Sequence, residues 1–259
     1  MKTIKKVFIF VGKHKDTDEK VRKEIARIAA ENGGSVVSTP EEADFIAVLG
    51  GDGTIMRASH IARRLDKAVI GINLGRVGYM AELQSDEIQA LSEVFKGNYT
   101  EEKRMMLSVT ANGKREYALN DAVIHAQSTH MSKFLLKCNE SEVSLYRGDG
   151  LILATPTGST AYSLSAGGSV IEPRLECICV TPICPQSPLA RPLVFAPDNV
   201  LTAIVESYGC MLTVDGREPE TLKKGACVTV KKSDIGLRMI KLKEEGFYRV
   251  LRKKSDTVL

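Results

Sequence analysis

A carboxylate set among glycines is the first place where this sequence could do chemistry. The apolar run Phe45–Leu49 leads into Gly50-Gly51-Asp52-Gly53-Thr54, and apolar residues then recur at helical spacing. Glycines let backbone N–H groups approach an oxyanion closely, and the start of a helix adds partial positive charge. The pattern predicts a phosphate cradle between a strand and a helix, with Thr54 as the helix cap.

Asp52 gives this cradle a chemical purpose. Bound phosphates repel a carboxylate, so one placed there suits a cation ligand or a base that takes a proton from an attacking hydroxyl. Both uses belong to phosphoryl transfer. Taken alone, Gly-Asp-Gly also fits an ordinary surface turn with a solvated Asp52, and this alternative stays open here.

Two other polar segments accompany predicted strands. Residues 73–80 would turn the chain beside the cradle at the same sheet edge, although a simple Gly-rich turn is equally compatible. Asn120-Asp121 lies among apolar residues, and since neighbours on a strand face opposite sides, one of the two side chains should point inward and need a partner. A ligand with amide and hydroxyl groups would be one partner, and nearby backbone would be another.

A hydroxyl-rich loop is the stronger second signal. Gly148-Asp149-Gly150 begins a strand that runs into residues 155–168, which are dense in Ser and Thr. Hydroxyls both donate and accept, so this loop suits a ligand rich in sugar hydroxyls and amides. A loop that only caps a helix is the alternative, but the small residues Ala161, Ala166, Gly167 and Gly168 also suggest close approach to a ligand or to another chain.

The elements that must position these residues fall into two halves. The first half predicts strands at 6–12, 35–38, 45–49 and 68–73, and helices at 18–32, 54–65 and 86–95. This alternation indicates an open, mostly parallel sheet covered by helices, in which ligands bind beyond the carboxyl ends of the strands. Residues 50–54 fall at such an end.

The second half follows a β pattern. A hairpin is predicted from 105–111 and 116–125 across Asn112-Gly113, and only 158–165 looks helical. Further β-like runs occur at 134–138, 143–147, 151–154, 177–180, 200–205, 211–214 and 226–231. We therefore expect an α/β domain at 1–98 and a β-rich domain at 99–240.

Composition narrows the classes of function. The formal net charge is +4, with 26% charged and 43% hydrophobic residues, and no basic block with interleaved aromatics indicates a nucleic-acid partner. No stretch approaches the roughly 18 apolar residues of a membrane span, and the N-terminal apolar run is too short for a signal peptide. We expect a cytoplasmic protein with no membrane partner. The six cysteines form no Cys-x-x-Cys pair and are expected to be small buried apolar residues, not a metal site.

These segments resemble a known family. Residues 50–54, 73–80, 120–121, 149–168, 182–192 and 215–216 occur in the order and spacing of bacterial NAD kinases, which the chain resembles over nearly its whole length. The Gly-Asp turn is shared with diacylglycerol, sphingosine and phosphofructo-kinases, whereas the hydroxyl-rich loop is far more specific. The resemblance implies an α/β domain that binds the phosphate donor, a β-rich domain for dinucleotide binding and oligomerisation, and a last segment, 241–259, packed back on the first domain.

The resemblance also implies roles for single residues. Asp52 would accept the proton of the 2′-hydroxyl of the adenosine ribose, Gly53 and Arg57 would hold phosphates, and Asn120 would read the adenine edge. Asp121, Asp149 and Arg147 would lie around the ribose, nicotinamide and phosphate groups. The other candidate binding residues are Gly51, Thr54, Tyr79, Thr157, Thr160, Ala161, Tyr162, Ser163, Leu164, Ser165 and Arg217, with Tyr162 and Tyr79 supplying stacking area. Three residues differ from those frequent in the family. Gln186 stands where histidine is frequent, and Ser169 stands where proline is frequent. Arg217 stands where glutamine is frequent, so the role of Arg217 stays open.

The implied reaction uses ATP as phosphate donor with a divalent cation, Mg²⁺, and NAD as acceptor, in a homodimer or homotetramer. A lipid kinase of the same superfamily is one rival, which the absence of an obvious acyl-chain groove in the sequence disfavours. A non-catalytic NADP(H)-binding sensor is the other, and the intact Asp52 argues against it. The use of polyphosphate for ATP, or of NADH for NAD, stays open.

Overall fold

The structure, a computed structural model, describes residues 4–12, 18–75, 78–127, 131–243 and 246–255. The chain divides into two compact units. The α/β unit comprises residues 1–103 and 237–259, and the β-rich unit comprises residues 104–236. The chain therefore returns to the α/β unit at its end, which confirms the expected course of the last segment.

Strands and helices alternate at first and strands then dominate. The first elements are β1 Lys6–Val11, α1 Asp18–Glu31, β2 Ser35–Val37, β3 Phe45–Leu49, α2 Asp52–Leu65, β4 Ala68–Asn73, β5 Leu83–Gln84, a 3-10 turn Ser85–Ala90, α3 Leu91–Lys96 and β6 Thr100–Arg104. There follow β7 Leu107–Ala111, β8 Lys114–Ala118, β9 Asp121–Ala126, β10 Ser132–Cys138, β11 Ser141–Gly148, β12 Gly150–Ala154, a 3-10 turn Gly158–Thr160, α4 Tyr162–Ser165 and β13 Ile178–Ile183. The last are β14 Leu193–Phe195, β15 Leu201–Val205, β16 Cys210–Val214, β17 Glu220–Leu222, β18 Cys227–Lys232, β19 Leu237–Lys241 and α5 Gly246–Ser255.

The α/β unit is built on a mostly parallel sheet, as predicted. Its described residues form seven strands in the order β2-β1-β3-β4-β19-β6, with β5 paired to β4. Strands β3 and β4 are buried along their whole length and pair in parallel, as expected of strands covered on both faces. β19 adds parallel to β4. This insertion was not predicted, because an apolar pattern does not reveal which distant strand will pair with it.

Two predicted helices differ from the observed ones. α2 begins at Asp52, two residues before the predicted start, and its N-cap is Gly51 without a side-chain cap; Thr54 is therefore not the cap. The predicted helix 86–95 consists of the 3-10 turn followed by α3, which ends at Gly97 with φ +83°.

The β-rich unit contains two antiparallel sheets. Their strand orders are β11-β10-β15-β18-β7-β8 and β14-β13-β12-β9-β16-β17. One buried apolar cluster includes Val109 and Leu136 from the first sheet with Ile124 and Leu153 from the second. The two sheets therefore pack face to face around a common core.

The chain changes sheet at Leu119-Asn120. β7 and β8 form the predicted hairpin, with positive φ at both Asn112 (47°) and Gly113 (76°), as a tight hairpin turn requires. The predicted strand 116–125 is wrong as a single element, because β8 ends at Ala118 and β9 pairs in the other sheet with β12 and β16. A continuous apolar pattern does not show such a change of partner.

None of the described helices is both long and apolar enough to cross a membrane. All six cysteines are free thiols. Cys184 and Cys227 are exposed, so the expected burial of the cysteines is wrong for these two.

Candidate functional site

The glycine cradle lies at the carboxyl end of β3. Gly50 adopts φ +144°, and a Cβ at this position would lie 2.8 Å from the Cβ of Thr54, so a side chain would be strained and crowded. Gly51 caps α2, and Asp52 and Gly53 occupy its first turn. Because the first N–H groups of a helix have no intrahelical acceptor, this end of α2 can bind an anion.

Thr54 and Arg57 lie beside the end of β1. The buried Thr54 accepts a hydrogen bond from Nη2 of Arg57 at 3.4 Å. A Cβ on Gly12, directly after β1, would lie 2.9 Å from Oγ1 of Thr54 and 3.2 Å from Nη2 of Arg57. The exposed Arg57 guanidinium is thus at the edge where β1 and β3 end. Gly12 leaves space for this guanidinium, a role that the sequence did not indicate.

Two backbone N–H groups hold the Asp52 carboxylate. Tyr79 donates to Oδ2 at 2.8 Å, and Met80 donates to Oδ1 at 3.1 Å. A Cβ on Gly78 would lie 2.6 Å from Cγ of Asp52, so a glycine is needed for this approach. The predicted turn therefore does lie beside the cradle, and each carboxylate oxygen keeps a lone pair for a further donor.

Asn73 organises the turn that follows β4. Its buried amide donates to the carbonyl of Gly75 and to Oε1 of Gln84, both at 2.8 Å, and its Oδ1 accepts from the N–H of Gly75 at 3.3 Å. A polar residue closing an apolar strand was the available sequence signal. Arg76 and Val77 of the predicted turn lie outside the described residues.

Tyr79 contacts the C-terminal helix. Its ring centroid is 6.1 Å from that of Phe247, with the planes tilted by 40°. Burial and, secondarily, the Asp52 carboxylate raise the pKa of Tyr79 above its usual value. The phenol therefore stays neutral and can donate a hydrogen bond.

The side chains of the candidate site could hold a cation only together with substrate phosphates. Among the described residues, no group of three or more His, Cys, Asp or Glu side chains could bind a metal ion. Mg²⁺ is usually held by one or two carboxylates together with substrate phosphates. Asp52 beside a phosphate cradle is compatible with that arrangement.

In the β-rich unit, Asp215 fixes the segment where the chain changes sheet. Its Oδ2 accepts from the N–H of Leu119 at 2.8 Å, and its Oδ1 accepts from those of Asn120 and Asp121 at 2.8 and 3.2 Å. The N–H of Asp215 donates back to the carbonyl of Asp121 at 3.0 Å. The Asp215-Gly216 dipeptide gives no indication in the sequence that Asp215 would accept these hydrogen bonds.

The side chains of Asn120 and Asp121 have properties that a ligand could use. Oδ1 of Asn120 is buried and has no hydrogen-bond partner within the described part of the chain, a costly state that a ligand donor would relieve. Burial and then the Asp215 carboxylate raise the pKa of Asp121 from 3.8 to about 7. Near neutral pH this carboxyl is therefore partly protonated and able to donate.

The hydroxyl-rich loop packs directly on this segment. Thr155 donates its N–H to the carbonyl of Asn120 at 2.8 Å and its hydroxyl to that of Leu119 at 2.6 Å. The same hydroxyl accepts from the N–H of Gly158 at 3.0 Å. A Cβ on Gly158 would lie 2.8 Å from Cα of Asn120. The structure thus brings the loop and Asn120 together.

Several loop hydroxyls serve the fold. Nη1 of the buried Arg104 donates to Oγ1 of Thr157 at 3.4 Å, and Thr160 donates to the carbonyl of Thr157 at 3.3 Å. Ser163 is buried, and its hydroxyl pairs with that of Thr181 at 2.9 Å. The Ser163 side chain therefore faces the interior, and the buried residue gives no support to the predicted ligand contact.

The other predicted residues of this loop are accessible. Tyr162, Leu164 and Ser165 are exposed on α4, and Ala161 and Thr160 are half-buried before it. The sequence alone could not distinguish these positions from Ser163, because a residue that faces the interior and one that faces solvent can be of the same type.

Arg147 and Asp149 lie away from Asn120. In the pairing of β12 with β9, Ala154 faces Asp121 and Gly150 faces His125. Asp149, just before Gly150, is therefore about 15 Å along the strand from the Asp121 end. Arg147 and Asp149 are exposed, and a single copy of the β-rich unit does not gather them with the hydroxyl-rich loop.

Arg217 is engaged within its own unit. Nε donates to the carbonyl of Val214 at 3.1 Å, and Nη2 donates to that of Tyr117 at 3.2 Å. Nη2 also pairs with the Glu116 carboxylate at 2.5 Å. These contacts join the turn after β16 to β8, and they give no support to the predicted ligand contact.

Fold and site together define a class of protein, in which an α/β unit with a glycine cradle at the end of a parallel strand is joined to a β-rich unit of two antiparallel sheets. Residues 12–99 match the ATP-NAD kinase N-terminal domain, and residues 119–242 match the ATP-NAD kinase C-terminal domain. The chain belongs to the NAD kinase family.

Individual relatives agree with this assignment. The chain is 40% identical to the NAD kinase of Caldicellulosiruptor saccharolyticus over 82% of each chain, and 34% identical to that of Caldanaerobacter subterraneus subsp. tengcongensis over 97% of this chain and 99% of the relative. Among solved structures, an NAD kinase from Archaeoglobus fulgidus in complex with ATP matches with TM-score 0.79 and 28% identity, over 96% of this chain and 98% of the other. Yeast NADH kinase complexed with NADH has the same fold, with TM-score 0.85 and 24% identity over 95% of this chain and 86% of the other.

Proposed function

We propose that the chain transfers the γ-phosphoryl group of ATP to the 2′-hydroxyl of the adenosine ribose of NAD, forming NADP. The observation that carries this proposal is the position of the Asp52 carboxylate. It lies at the start of α2, and the backbone N–H groups of Tyr79 and Met80 orient it. A carboxylate in this setting can take the proton of the attacking hydroxyl while the cradle holds the phosphates. Membership of the NAD kinase family supports both substrates.

The α/β unit binds the phosphate donor in this proposal. The N–H groups of Gly51 and Gly53 contact phosphate oxygens at the start of α2, Thr54 closes the cradle, and the Arg57 guanidinium adds a positive charge. A divalent cation, Mg²⁺, would be held by the phosphates and Asp52, and it would neutralise charge on the phosphates.

The β-rich unit binds and recognises the dinucleotide. The unpartnered Oδ1 of Asn120 accepts from the amino group of adenine, and Asp121 and Thr160 bind ribose hydroxyls. Tyr162, which is 46% exposed on α4, supplies a ring for stacking.

The direct test is NADP formation by the purified chain from NAD, ATP and Mg²⁺. Asp52→Asn should lower turnover by about 10²–10⁴-fold with NAD affinity within a few-fold. Glu41→Gln, an exposed carboxylate in the same unit, is the matched control and should turn over normally. Binding of NADP(H) without turnover by the wild-type chain would instead identify a sensor, and phosphorylation of a lipid extract would identify a lipid kinase.

A second test assigns the substrates to the units. Asn120→Ala removes an acceptor that only the dinucleotide uses, so the KM for NAD should rise by roughly 10-fold or more while the KM for ATP stays nearly constant. A rise in the KM for ATP alone would reverse the assignment.

A homo-oligomer in the cytoplasm belongs to the same proposal. Leu164, Val170 and Leu175 are 40%, 38% and 54% exposed around the small residues 166–168, which supports this segment as a contact between copies. A second copy would also offer a way for Arg147 and Asp149 to reach a dinucleotide, since they lie far from Asn120 in their own unit.

A further inference from the structure

Glu82, a buried carboxylate of the α/β unit, ties the C-terminal segment to the loop that orients Asp52. Oε1 of Glu82 accepts the N–H groups of Leu242 and Lys243, both at 2.8 Å, and Oε2 pairs with Nζ of Lys241. The Glu82 side chain is only 2% exposed, so these contacts satisfy a charge that water hardly reaches. Nothing in the phosphoryl-transfer chemistry uses this carboxylate.

The C-terminal helix contacts the same loop from its other end. Phe247, in the first turn of α5, packs against the ring of Tyr79. Lys243 pairs with Glu87 at 2.6 Å, which joins the C-terminal segment to the 3-10 turn that follows this loop. The backbone of residues 79–82 is therefore restrained at Tyr79 by a ring and at Glu82 by hydrogen bonds.

We propose that Glu82 and Phe247 are positioning residues for Asp52. They hold residues 79–82 so that the N–H groups of Tyr79 and Met80 point at the two carboxylate oxygens. The inference rests on the proposed function of Asp52 as the base. Since a shift of about 1 Å at a reacting group can cost ~10²-fold in rate, loosening this loop should slow turnover without changing the dinucleotide pocket.

The test compares two truncations in α5. Phe247→Ala should lower kcat by roughly 10- to 100-fold with the KM for NAD within about twofold, and Phe247→Tyr, which keeps the ring, should restore kcat. Val250→Ala is the matched control: Val250 is 7% exposed on the same helix, so its truncation lowers the melting temperature but leaves kcat unchanged. Equal kcat values for the wild type and Phe247→Ala would overturn the proposal.

Glu82 gives an independent comparison. Glu82→Gln keeps an acceptor for the two N–H groups and should retain most of the kcat, whereas Glu82→Ala should lose it. Amide hydrogen exchange of Tyr79 and Met80 provides a readout besides activity, and exchange should be faster in Phe247→Ala and Glu82→Ala than in the wild type or Val250→Ala. Unchanged exchange would overturn the positioning role, whereas a wild-type chain that makes no NADP but shows the faster exchange in these variants would overturn only the proposed function.

Discussion

Asp52 is oriented by main-chain groups of a neighbouring loop. Its two oxygens accept N–H groups from Tyr79 and Met80, so the direct contacts with the carboxylate are made by the main chain of this loop. The orientation of the carboxylate depends on how closely the backbone of this loop can approach it. Gly78 permits the observed approach because it has no side chain. At the scale of single residues, a methyl group is therefore enough to disturb the proposed base.

Gly78→Ala should displace the Asp52 carboxylate without removing it. The new Cβ would lie 2.6 Å from Cγ of Asp52, closer than packed carbon atoms allow, so we expect kcat to fall by at least ~10-fold. Steady-state kinetics with thermal unfolding measures this effect. Wild-type kcat in a folded Gly78→Ala variant would contradict the described approach of the loop.

Asp121 should make stability depend on pH. Its pKa is raised from 3.8 to about 7 in the folded chain, by burial and then by Asp215. Between about pH 4 and 7 the folded state keeps a proton that the unfolded state has released. The free energy of unfolding should therefore fall as pH rises through this window, by up to about 1.4 kcal/mol per pH unit.

Urea unfolding of the wild type and Asp121→Asn at several pH values between 5 and 7 measures this contribution. The amide cannot ionise, so the variant should show a flatter dependence. Asp198→Asn, at an exposed position, should keep the wild-type slope. Identical slopes for the wild type and Asp121→Asn would contradict the raised pKa.

At the scale of elements, the passage from β8 to β9 decides where Asn120 lies. The chain leaves one sheet at Ala118 and enters the other at Asp121. The turn after β16 holds this passage through Asp215, and the loop after β12 packs on it through Thr155. Two loops distant in sequence thus fix one short segment.

Asp215→Ala should therefore affect both stability and dinucleotide binding. Three N–H groups would lose their acceptor, at roughly 1–3 kcal/mol for each donor left buried, and the KM for NAD should rise more than the KM for ATP. Denaturant unfolding and steady-state kinetics measure the two effects. Asp234→Ala, an exposed aspartate of the same unit, is the control and should change neither. An unchanged KM for NAD in Asp215→Ala would show that this segment does not contact the dinucleotide.

At the scale of the whole molecule, the family match covers both units. Leu164 and Leu175, which flank residues 166–168 in the sequence, are exposed in a single chain. Apolar side chains clustered on a surface are a common mark of an interface between subunits.

Leu175→Asp should weaken the proposed homo-oligomer. A charge within an apolar contact costs desolvation, so the variant should shift towards the 28.3 kDa monomer. Light scattering at micromolar concentration measures the shift. Ile235→Asp, at another exposed apolar position of this unit (44% exposed), should keep the wild-type mass. A wild-type chain that scatters only as a monomer would contradict the oligomer.

The sequence by itself determined the features that depend on neighbouring residues. The cradle between β3 and α2 and the hairpin at Asn112-Gly113 follow from apolar runs and from glycine conformations that are local to the chain. The resemblance to NAD kinases rested on such local motifs and was confirmed.

Only the tertiary structure decided which groups the site residues meet. Asp52 finds its donors 27 and 28 residues away, Asp215 caps backbone 94 to 96 residues away, and Glu82 binds backbone 160 and 161 residues away. It also turned the Ser163 hydroxyl inward. The reason is that a carboxylate or hydroxyl has the same local propensity whether its partner is a ligand, water or a distant segment, and packing alone selects among them.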